Sequence, residues 1–300
     1  MRLKDDFLNN LYNEIILLCG MKRGNTMKPI QKVLTLAGSD SSGGAGIQAD
    51  LKTFQERGVY GMTAITTIVT MDPDDSWAHR VFPIGLSTIE EQLKTILSVG
   101  IQGMKTGMLG SIDIIELAAR TMEKHTIPNV VVDPVMVCKG ADEALHPETN
   151  DALRDILVPK AAVVTPNLFE ASQLAGMAPI RSLDEMKEAA ARIHEKGAKY
   201  VLVKGGSKIG LPTSVDVLYD GTEFELLEAE VIDTTFTHGA GCTYSAAIAA
   251  ELAKGHSVRD SVHTAKRFIT AAIRHSFRLN QYVGPVRHNA LRQVEHGEQE

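Results

Sequence analysis

The chain has few cysteines and no excess of basic residues. Its three cysteines, Cys19, Cys138 and Cys242, are too few and too scattered for a disulfide framework or a Cys-x-x-Cys zinc site. The 31 lysines and arginines against 37 acidic residues give a formal charge of −6, so the chain lacks the basic surplus that neutralises a phosphate backbone. We therefore expect a protein of the reducing cytoplasm with no nucleic-acid partner.

The chain also lacks an apolar run of about 18 residues, the length that spans a bilayer, so no membrane partner is expected. The short apolar stretch from Ile15 to Gly20 follows acidic residues and precedes no small-residue cleavage site, which argues against a signal peptide. The first strong strand pattern begins at Lys32. Residues 1–26 are therefore predicted to be a peripheral extension, or to precede the true start, and residues 27–300 to form a single domain with one sizeable core.

From Lys32 onward, β-branched apolar runs alternate with amphipathic segments. The pattern predicts strands over 32–37, 62–70, 104–105, 129–132, 161–164 and 200–204, and helices over 47–57, 87–97, 111–124, 183–196, 240–254 and 258–277. This alternation indicates a mainly parallel sheet covered by helices on both faces. A hairpin turning at Asp220-Gly221 is expected to add antiparallel strands at one edge, and residues 71–77 to form a surface flap. Ligands should gather beyond the carboxyl ends of the strands.

The first glycine-rich loop partly matches a dinucleotide-binding fingerprint. Residues Gly44 to Ala49 fit the loose G-x-G-x-x-G/A pattern between a strand and a helix. However, the loop from Gly38 to Gly46 is longer than the tight turn of that motif, and Met71 stands where an acidic residue should end the next strand, with Asp72 beyond it. A nicotinamide site is therefore disfavoured. The sequence has no Walker A motif, so a nucleotide triphosphate would need another cradle.

A second small-residue turn, from Thr237 to Thr243, directly precedes an apolar helix. Small residues let backbone N–H groups converge, and the start of a helix carries partial positive charge, so this turn is suited to a transferring phosphoryl group. The alternative is a helix start capped by glycine without further function. The turn alone does not decide between the two interpretations.

Other chemistry-bearing residues follow predicted strands. Asp133 ends one strand, Asn167 and Glu170 follow the next, and Lys204 ends a third, before two glycines. Carboxylates and an amide can hold Mg²⁺ and its waters, and a lysine can reach phosphate oxygens. Each residue also has a structural alternative: a capping box for Asn167 and Glu170, a simple strand end for Asp133 and a solvated lysine for Lys204. Their joint placement favours phosphoryl transfer.

Six motifs in order resemble the ribokinase-type family of hydroxymethylpyrimidine and pyridoxal kinases. They are GSDSSGGAGIQADLKTF from Gly38, MKTGML from Met104, DPVM from Asp133, TPNLFEA from Thr165, KGG from Lys204 and THGAGCT from Thr237. The resemblance implies a three-layer α/β/α fold, usually dimeric, that phosphorylates a ring-borne hydroxymethyl group with ATP and Mg²⁺.

Two departures indicate a branch within that family. Thiamin-pathway kinases commonly carry Gln-Asn where this chain has Met71-Asp72, and they tend to lack a cysteine such as Cys138 after the DPVM motif. Both features resemble Gram-positive pyridoxal kinases that retain some hydroxymethylpyrimidine kinase activity. A hydroxymethylpyrimidine/phosphomethylpyrimidine kinase of thiamin biosynthesis remains the alternative. A non-catalytic vitamer-binding protein is a third hypothesis, which the magnesium and phosphate motifs disfavour.

The resemblance also implies roles for individual residues. The substrate pocket would comprise Asp50, Met71, His79, Met108 and Val135. The ATP side would comprise Asn167, Glu170, Lys204, Gly205, Gly206, Ser207, Lys208, Asp216, Gly239 and Gly241, with Asp133 and Glu170 holding the metal through water. Without the resemblance, the alternatives are a solvated helix residue for Asp50, a surface histidine for His79 and core packing for the methionines and valine.

Two cysteines are expected to be catalytic. In the wider ribokinase group, the position of Cys242 is usually occupied by an aspartate that acts as the base for the substrate hydroxyl. Placement at the start of a helix lowers the pKa of a thiol, so a Cys242 thiolate could act as the base in place of that aspartate. Alternatively, Cys242 only orients the hydroxyl and proton transfer is late. The resemblance implies that Cys138 adds reversibly to the pyridoxal aldehyde, against the alternative of a small buried hydrophobe. Lids over 72–82 and 136–145 would close on the substrates.

Overall fold

The computed structural model describes residues 29–136, 147–295 and 297. The strands are β1 (Lys32–Asp40), β2 (Tyr60–Asp72), β3 (Ala78–Pro83), β4 (Gly103–Thr106), β5 (Val130–Val132), β6 (Val163–Val164), β7 (Tyr200–Gly206), β8 (Ser214–Tyr219) and β9 (Phe224–Ala229). The α-helices are α1 (Gly46–Glu56), α2 (Leu86–Leu97), α3 (Ile112–His125), α4 (Pro147–Ala152), α5 (Leu168–Ala175), α6 (Leu183–His194), α7 (Ala240–Ala253), α8 (Val258–Arg274) and α9 (Ala290–Glu295). The predicted extension over 1–26 and the predicted catalytic thiol of Cys138 lie outside the described residues.

Across the described ranges, the strands form one nine-stranded sheet in the order β3-β2-β1-β4-β5-β6-β7-β8-β9. Six adjacent strands, β2-β1-β4-β5-β6-β7, pair with one another in parallel. Strands β3, β8 and β9 pair antiparallel. The fold class predicted from the sequence, a mainly parallel sheet with an antiparallel edge, is therefore confirmed.

The central strands are apolar on both faces, which places them between two helical layers. In β1, Val33 faces one core, while Leu34 and Leu36 face the other, because side chains alternate along a strand. Helices α2, α3, α5 and α6 supply apolar residues to the core of Leu34. Helices α1, α7 and α8 supply the core of Val33. These two cores make the three layers that the motifs imply.

One edge of the sheet differs from the prediction. Directly after the predicted flap over 71–77, residues 78–83 form β3, a strand that the sequence does not predict, and it pairs with β2 from Thr67↔Pro83 to Asp72↔Ala78. The sheet thus has antiparallel strands at both edges, whereas the sequence predicts them at one. The physical reason is that β2 would otherwise leave a row of backbone donors and acceptors unpaired, and the chain returns along it to satisfy them.

The parallel strands end along one edge of the sheet, and the loops that follow them carry the polar motifs. Strand β1 leads into the glycine-rich loop before α1, β5 leads into Asp133, and β7 ends in the KGG motif. In the part of the chain that the structure describes, no helix is both long and apolar enough to cross a membrane.

Candidate active site

The loop between β1 and α1, residues 41–45, is organised by the carboxylate of Asp40. This carboxylate accepts hydrogen bonds from the N–H groups of Ser42 at 2.8 Å and Ala45 at 2.7 Å. Helix α1 then begins at Gly46, whose φ of +56° lies in the left-handed region and whose Cβ, if present, would overlap the carbonyl of Gly38. Glycine is therefore needed at this position for the loop to close so tightly.

The start of α7 lies directly against this first loop. Gly239 caps the helix at its N-terminus with φ of +77°, and a side chain there would overlap the carbonyl of Gly44. Among the described residues, the N–H groups of Gly241 and Cys242 have no hydrogen-bond acceptor. These two groups, which we call the helix-start amides, point out of the helix with the positive end of its dipole, as an anion site requires.

Lys204 brings positive charge to the helix-start amides. Its Nζ lies 3.1 Å from Oδ1 of Asp133, and a Cβ placed on Gly241 would lie 3.4 Å from the same nitrogen. The other oxygen of Asp133 accepts a hydrogen bond from Ser245 at 3.1 Å. Burial by itself would raise the pKa of Asp133, but Lys204 and then Lys105 hold it below its ordinary value. Asp133 is therefore ionised, and it fixes the lysine at the site.

Asn167 and Glu170 adopt the structural alternative and also flank the lysine. They form a capping box at the start of α5: the Asn167 side chain accepts from the Glu170 N–H at 3.0 Å, and Glu170 accepts from the Asn167 N–H at 2.8 Å. Burial raises the pKa of Glu170 to about 7, with Lys204 opposing and Asp133 adding to the rise. The cap fixes the Glu170 carboxyl beside Lys204 and Asp133, so capping is compatible with the role predicted for it on the ATP side.

Asp50, predicted to contact the substrate ring, is fully buried instead. Its carboxylate pairs with Lys105 at 3.0 Å and accepts a hydrogen bond from Thr35 at 2.6 Å. Both charged side chains are 0% exposed. In this structure Asp50 neutralises a buried lysine and has no exposed surface, so its predicted contact with the substrate ring stays a prediction.

Cys242 lies at the start of α7, as the sequence predicts, but its thiol is not acidified. Burial raises the pKa of the thiol to about 11. Lys105 opposes this rise, and Asp50 and Asp133 add to it. The expected lowering by the helix start is therefore overturned, because burial beside two carboxylates outweighs the helix dipole. At neutral pH the side chain is a thiol, which favours the alternative of an orienting role.

The predicted substrate-pocket residues occupy two neighbouring loops and one hairpin. Met71 on β2 pairs across the antiparallel ladder with His79 on β3, and both side chains are partly buried. Burial lowers the pKa of His79. Met108 follows β4, where its side chain lies near Gly38, and Val135 follows β5. These partly exposed apolar side chains can line a pocket for a flat ring.

The remaining residues predicted on the ATP side divide into two groups. Gly205 and Gly206 end β7, while Ser207 and Lys208 are exposed in the loop that follows. Asp216, by contrast, is buried on β8, where it pairs with Lys266 at 2.6 Å. Its carboxylate also accepts a hydrogen bond from the Gly206 N–H at 3.3 Å, which ties it to the KGG motif, and its predicted nucleotide contact stays a prediction.

Several residues of the site were given no role by the sequence. Asp40 and His238 pair at 2.7 Å, Lys105 pairs with Asp50, and Ser245 bonds Asp133. Lys105 offered one signal, since a lysine within an apolar strand pattern is rarely buried without a partner. Asp40 and His238 stand within two of the six motifs, but their pairing, like that of Ser245 with Asp133, gives no sequence signal because the partners lie far apart along the chain.

Comparisons with known proteins identify the family of the chain. A family model described as phosphomethylpyrimidine kinase matches residues 40–287. The pyridoxine kinase of Bacillus subtilis (strain 168) is 62% identical over 264 residues, which are 88% of this chain and 97% of the relative. The hydroxymethylpyrimidine/phosphomethylpyrimidine kinase of the same strain is 39% identical over 264 residues, 88% of this chain and 96% of the relative.

A solved structure extends the comparison to bound ligands. The pyridoxal kinase from Staphylococcus aureus in complex with AMP-PCP and pyridoxal is 47% identical, with a TM-score of 0.85. The match covers 89% of this chain and 96% of that chain. The family predicted from the six motifs is confirmed: the chain belongs to the phosphomethylpyrimidine kinase family.

Proposed function

We propose that the protein transfers the γ-phosphoryl group of ATP to the 5'-hydroxymethyl group of pyridoxal, and of pyridoxine and pyridoxamine, in vitamin B6 salvage. Hydroxymethylpyrimidine is a further substrate. The observation that carries the proposal is the position of the Lys204 amine beside the helix-start amides. Fixed positive groups in this arrangement stabilise the negative charge that a phosphoryl group carries during transfer.

In this mechanism, the substrate hydroxyl oxygen attacks the γ-phosphorus while the bond to the bridging oxygen of ADP breaks. Lys204 and the helix-start amides bind the transferring oxygens. Asp133 keeps the lysine charged and in place, because its own pKa is held low. Removal of a single such group commonly costs 10² to 10³ in kcat, or about 3 to 4 kcal/mol.

Cys242 orients the attacking hydroxyl in this proposal. With a pKa of about 11, the thiol holds its proton at neutral pH and cannot serve as a preformed base. The hydroxyl proton therefore leaves late, to a phosphoryl oxygen or to water, as bond formation to phosphorus makes it acidic. The proximity of the thiol to Asp50, Asp133 and Lys105 keeps it within the electrostatic field of the site.

Asp133 and Glu170 fit a magnesium ion held through water. In the described residues, no group of three or more histidine, cysteine or acidic side chains is arranged to hold a metal directly. Mg²⁺ usually keeps several waters and binds proteins through one or two carboxylates together with substrate phosphates. Bound with ATP, it would neutralise negative charge on the phosphate oxygens. The two carboxyls beside Lys204 suit such an indirect contact.

Pyridoxal is preferred over the pyrimidine in this proposal on two grounds. The first is the identity to a pyridoxine kinase, which exceeds that to a thiamin-pathway kinase. The second is the apolar Met71 at the end of β2, opposite His79. The covalent role of Cys138 toward the aldehyde stays a prediction.

Mass-resolved assay of pyridoxal phosphorylation tests the proposed function. Purified wild-type protein with Mg-ATP is expected to form pyridoxal phosphate and ADP in equal amounts. Lys204→Met should lower kcat by about 10² or more, because it removes a transition-state contact and leaves Asp133 without its cation. Binding of pyridoxal without any ATP-dependent product would contradict the kinase proposal and favour a vitamer-binding protein.

The proposal also includes a cytoplasmic homodimer without a nucleic-acid or membrane partner. Its support is the scarcity of cysteine, the acidic net charge and the family itself. Light scattering at micromolar concentration tests the oligomer, with a mass of one chain as the contradicting result.

A further inference from the structure

A buried histidine connects the two glycine-rich loops of the site. Nε2 of His238 lies 2.7 Å from Oδ2 of Asp40, and both side chains are less than 10% exposed. Ser42 Oγ lies 3.3 Å from the same nitrogen. Because the pKa of Asp40 is held at about 2 and a carboxylate only accepts, Nε2 carries the proton in this pair. The Asp40–His238 pair therefore joins the end of β1 to the turn before α7.

The backbone of His238 is also fixed on its other side. Its N–H donates to the carbonyl of Gly284 at 3.0 Å, and its carbonyl accepts from Val286 at 3.2 Å. The histidine is thus held between the C-terminal segment and the loop after β1. It immediately precedes Gly239, so any movement of His238 is transmitted to the start of α7.

The two loops are packed without spare room. A Cβ on Gly44 would overlap the His238 imidazole, and a Cβ on Gly239 would overlap the Gly44 carbonyl. Behind this contact, the Gly46 N–H lies close enough to the Cys242 sulfur to lower the pKa of the thiol, against the larger rise that burial causes. The loop that follows β1 and the helix-start amides therefore form one unit, and the Asp40–His238 pair is its polar connection.

We propose that His238 is a positioning residue for phosphoryl transfer: by bridging to Asp40, it holds Cys242 and the helix-start amides in register with the loop that follows β1. His238 acts through these groups, since its Nε2 is committed to Asp40. A displacement of about 1 Å in such a constellation can cost about 10²-fold in rate. The inference rests on the proposed kinase function.

Three variants test the role from both sides of the contact. His238→Ala removes the bridge, His238→Gln places an amide N–H near the position of Nε2, and Gly44→Ala pushes the imidazole aside. We expect His238→Ala and Gly44→Ala to lower kcat by about 10²-fold, with KM for pyridoxal and ATP within about threefold of wild type. His238→Gln is expected to recover most of the lost kcat.

Glu251→Gln is the matched control, since Glu251 is another buried carboxylate on α7, paired with Arg57 at 2.6 Å at the far end of the helix. It should lower the melting temperature and leave kcat within about twofold.

The outcomes separate the inference from the proposed function. If wild type does not phosphorylate pyridoxal or the pyrimidine, the proposed function fails. If wild type is active and the His238 and Gly44 variants lose only stability, as Glu251→Gln does, the positioning role is overturned. Should His238→Ala not fold, Gly44→Ala still decides, because it displaces the imidazole without removing it: a wild-type kcat in Gly44→Ala overturns the role.

Discussion

Lys105 and Lys204 differ in burial, which distinguishes a packing residue from one that we propose binds phosphate. Each pairs with an aspartate at close to 3 Å. The Lys105 side chain is 0% exposed to solvent, whereas the Lys204 side chain is 13% exposed. Only Lys204 can therefore reach a bound phosphate. The charge of Lys105 instead acts at a distance, where it opposes the rise in the pKa of Cys242.

At the scale of a single residue, Asp40→Asn is expected to change how the free energy of unfolding depends on pH. Burial alone would raise the pKa of Asp40, but hydrogen bonds from His238 and Ser42 hold it at about 2, below the ordinary 3.8. Ionised Asp40 therefore stabilises the fold above about pH 4, and that contribution is lost as the pH falls through about 2. The shift corresponds to about 2 kcal/mol.

Urea unfolding of wild type and Asp40→Asn between about pH 5 and about pH 2.5 measures this contribution. The free energy of unfolding should fall more steeply in wild type, so that the difference between the two proteins narrows as the pH decreases. Parallel pH dependences would show that Asp40 does not titrate with a lowered pKa.

Long separations along the chain explain which site residues the sequence could not assign. Asp40 and His238 are 198 positions apart, and Asp50 and Lys105 are 55 apart. Periodicity reports only local structure, so neither pair leaves a pattern. The motif residues Asp133, Lys204 and the helix-start amides could be placed because each follows a strand or opens a helix, which local patterns do predict.

At the scale of elements, two capping boxes distinguish a structural cap from a functional one. Asn167 caps α5 with Glu170, and Ser182 caps α6 with Glu185. Only the first lies at the site, where Asn167 also pairs with Lys204 in an isolated β-bridge. The two caps therefore offer a matched comparison between two helices that both begin with a capping box.

Asn167→Ala and Ser182→Ala are each expected to lower the free energy of unfolding by about 1 kcal/mol, the usual contribution of a cap. Only Asn167→Ala should also reduce kcat/KM for ATP, by about tenfold, because it loosens Glu170 beside Lys204. Steady-state kinetics and urea titration measure the two effects. Equal kcat/KM in both variants would leave Asn167 as a cap alone.

The elements differ in how well the sequence predicts them. The strands and helices of the parallel core follow from periods of two and of 3.6 residues, and the predicted bounds lie close to the observed ones. Strand β3 was missed because it is six residues long and only partly buried, and its pairing with β2 depends on the edge it covers. The hairpin of β8 and β9 was predicted because its Asp220-Gly221 turn gives a local signal.

At the scale of the whole molecule, the sheet order gathers the site from distant parts of the chain. The loops after β1, β4, β5 and β7 and the start of α7 meet along one edge because those strands are parallel. The fold and family therefore predict where the chemistry lies. Substrate choice depends on a few side chains such as Met71 and His79, which the fold does not determine.

A competition assay tests the central claim most directly. The protein would receive Mg-ATP with equal concentrations of pyridoxal and hydroxymethylpyrimidine, and both phosphorylated products would be followed by mass. Our account predicts that pyridoxal phosphate forms faster and remains the main product. Dominant formation of the pyrimidine monophosphate and diphosphate would contradict it and assign the protein to thiamin biosynthesis.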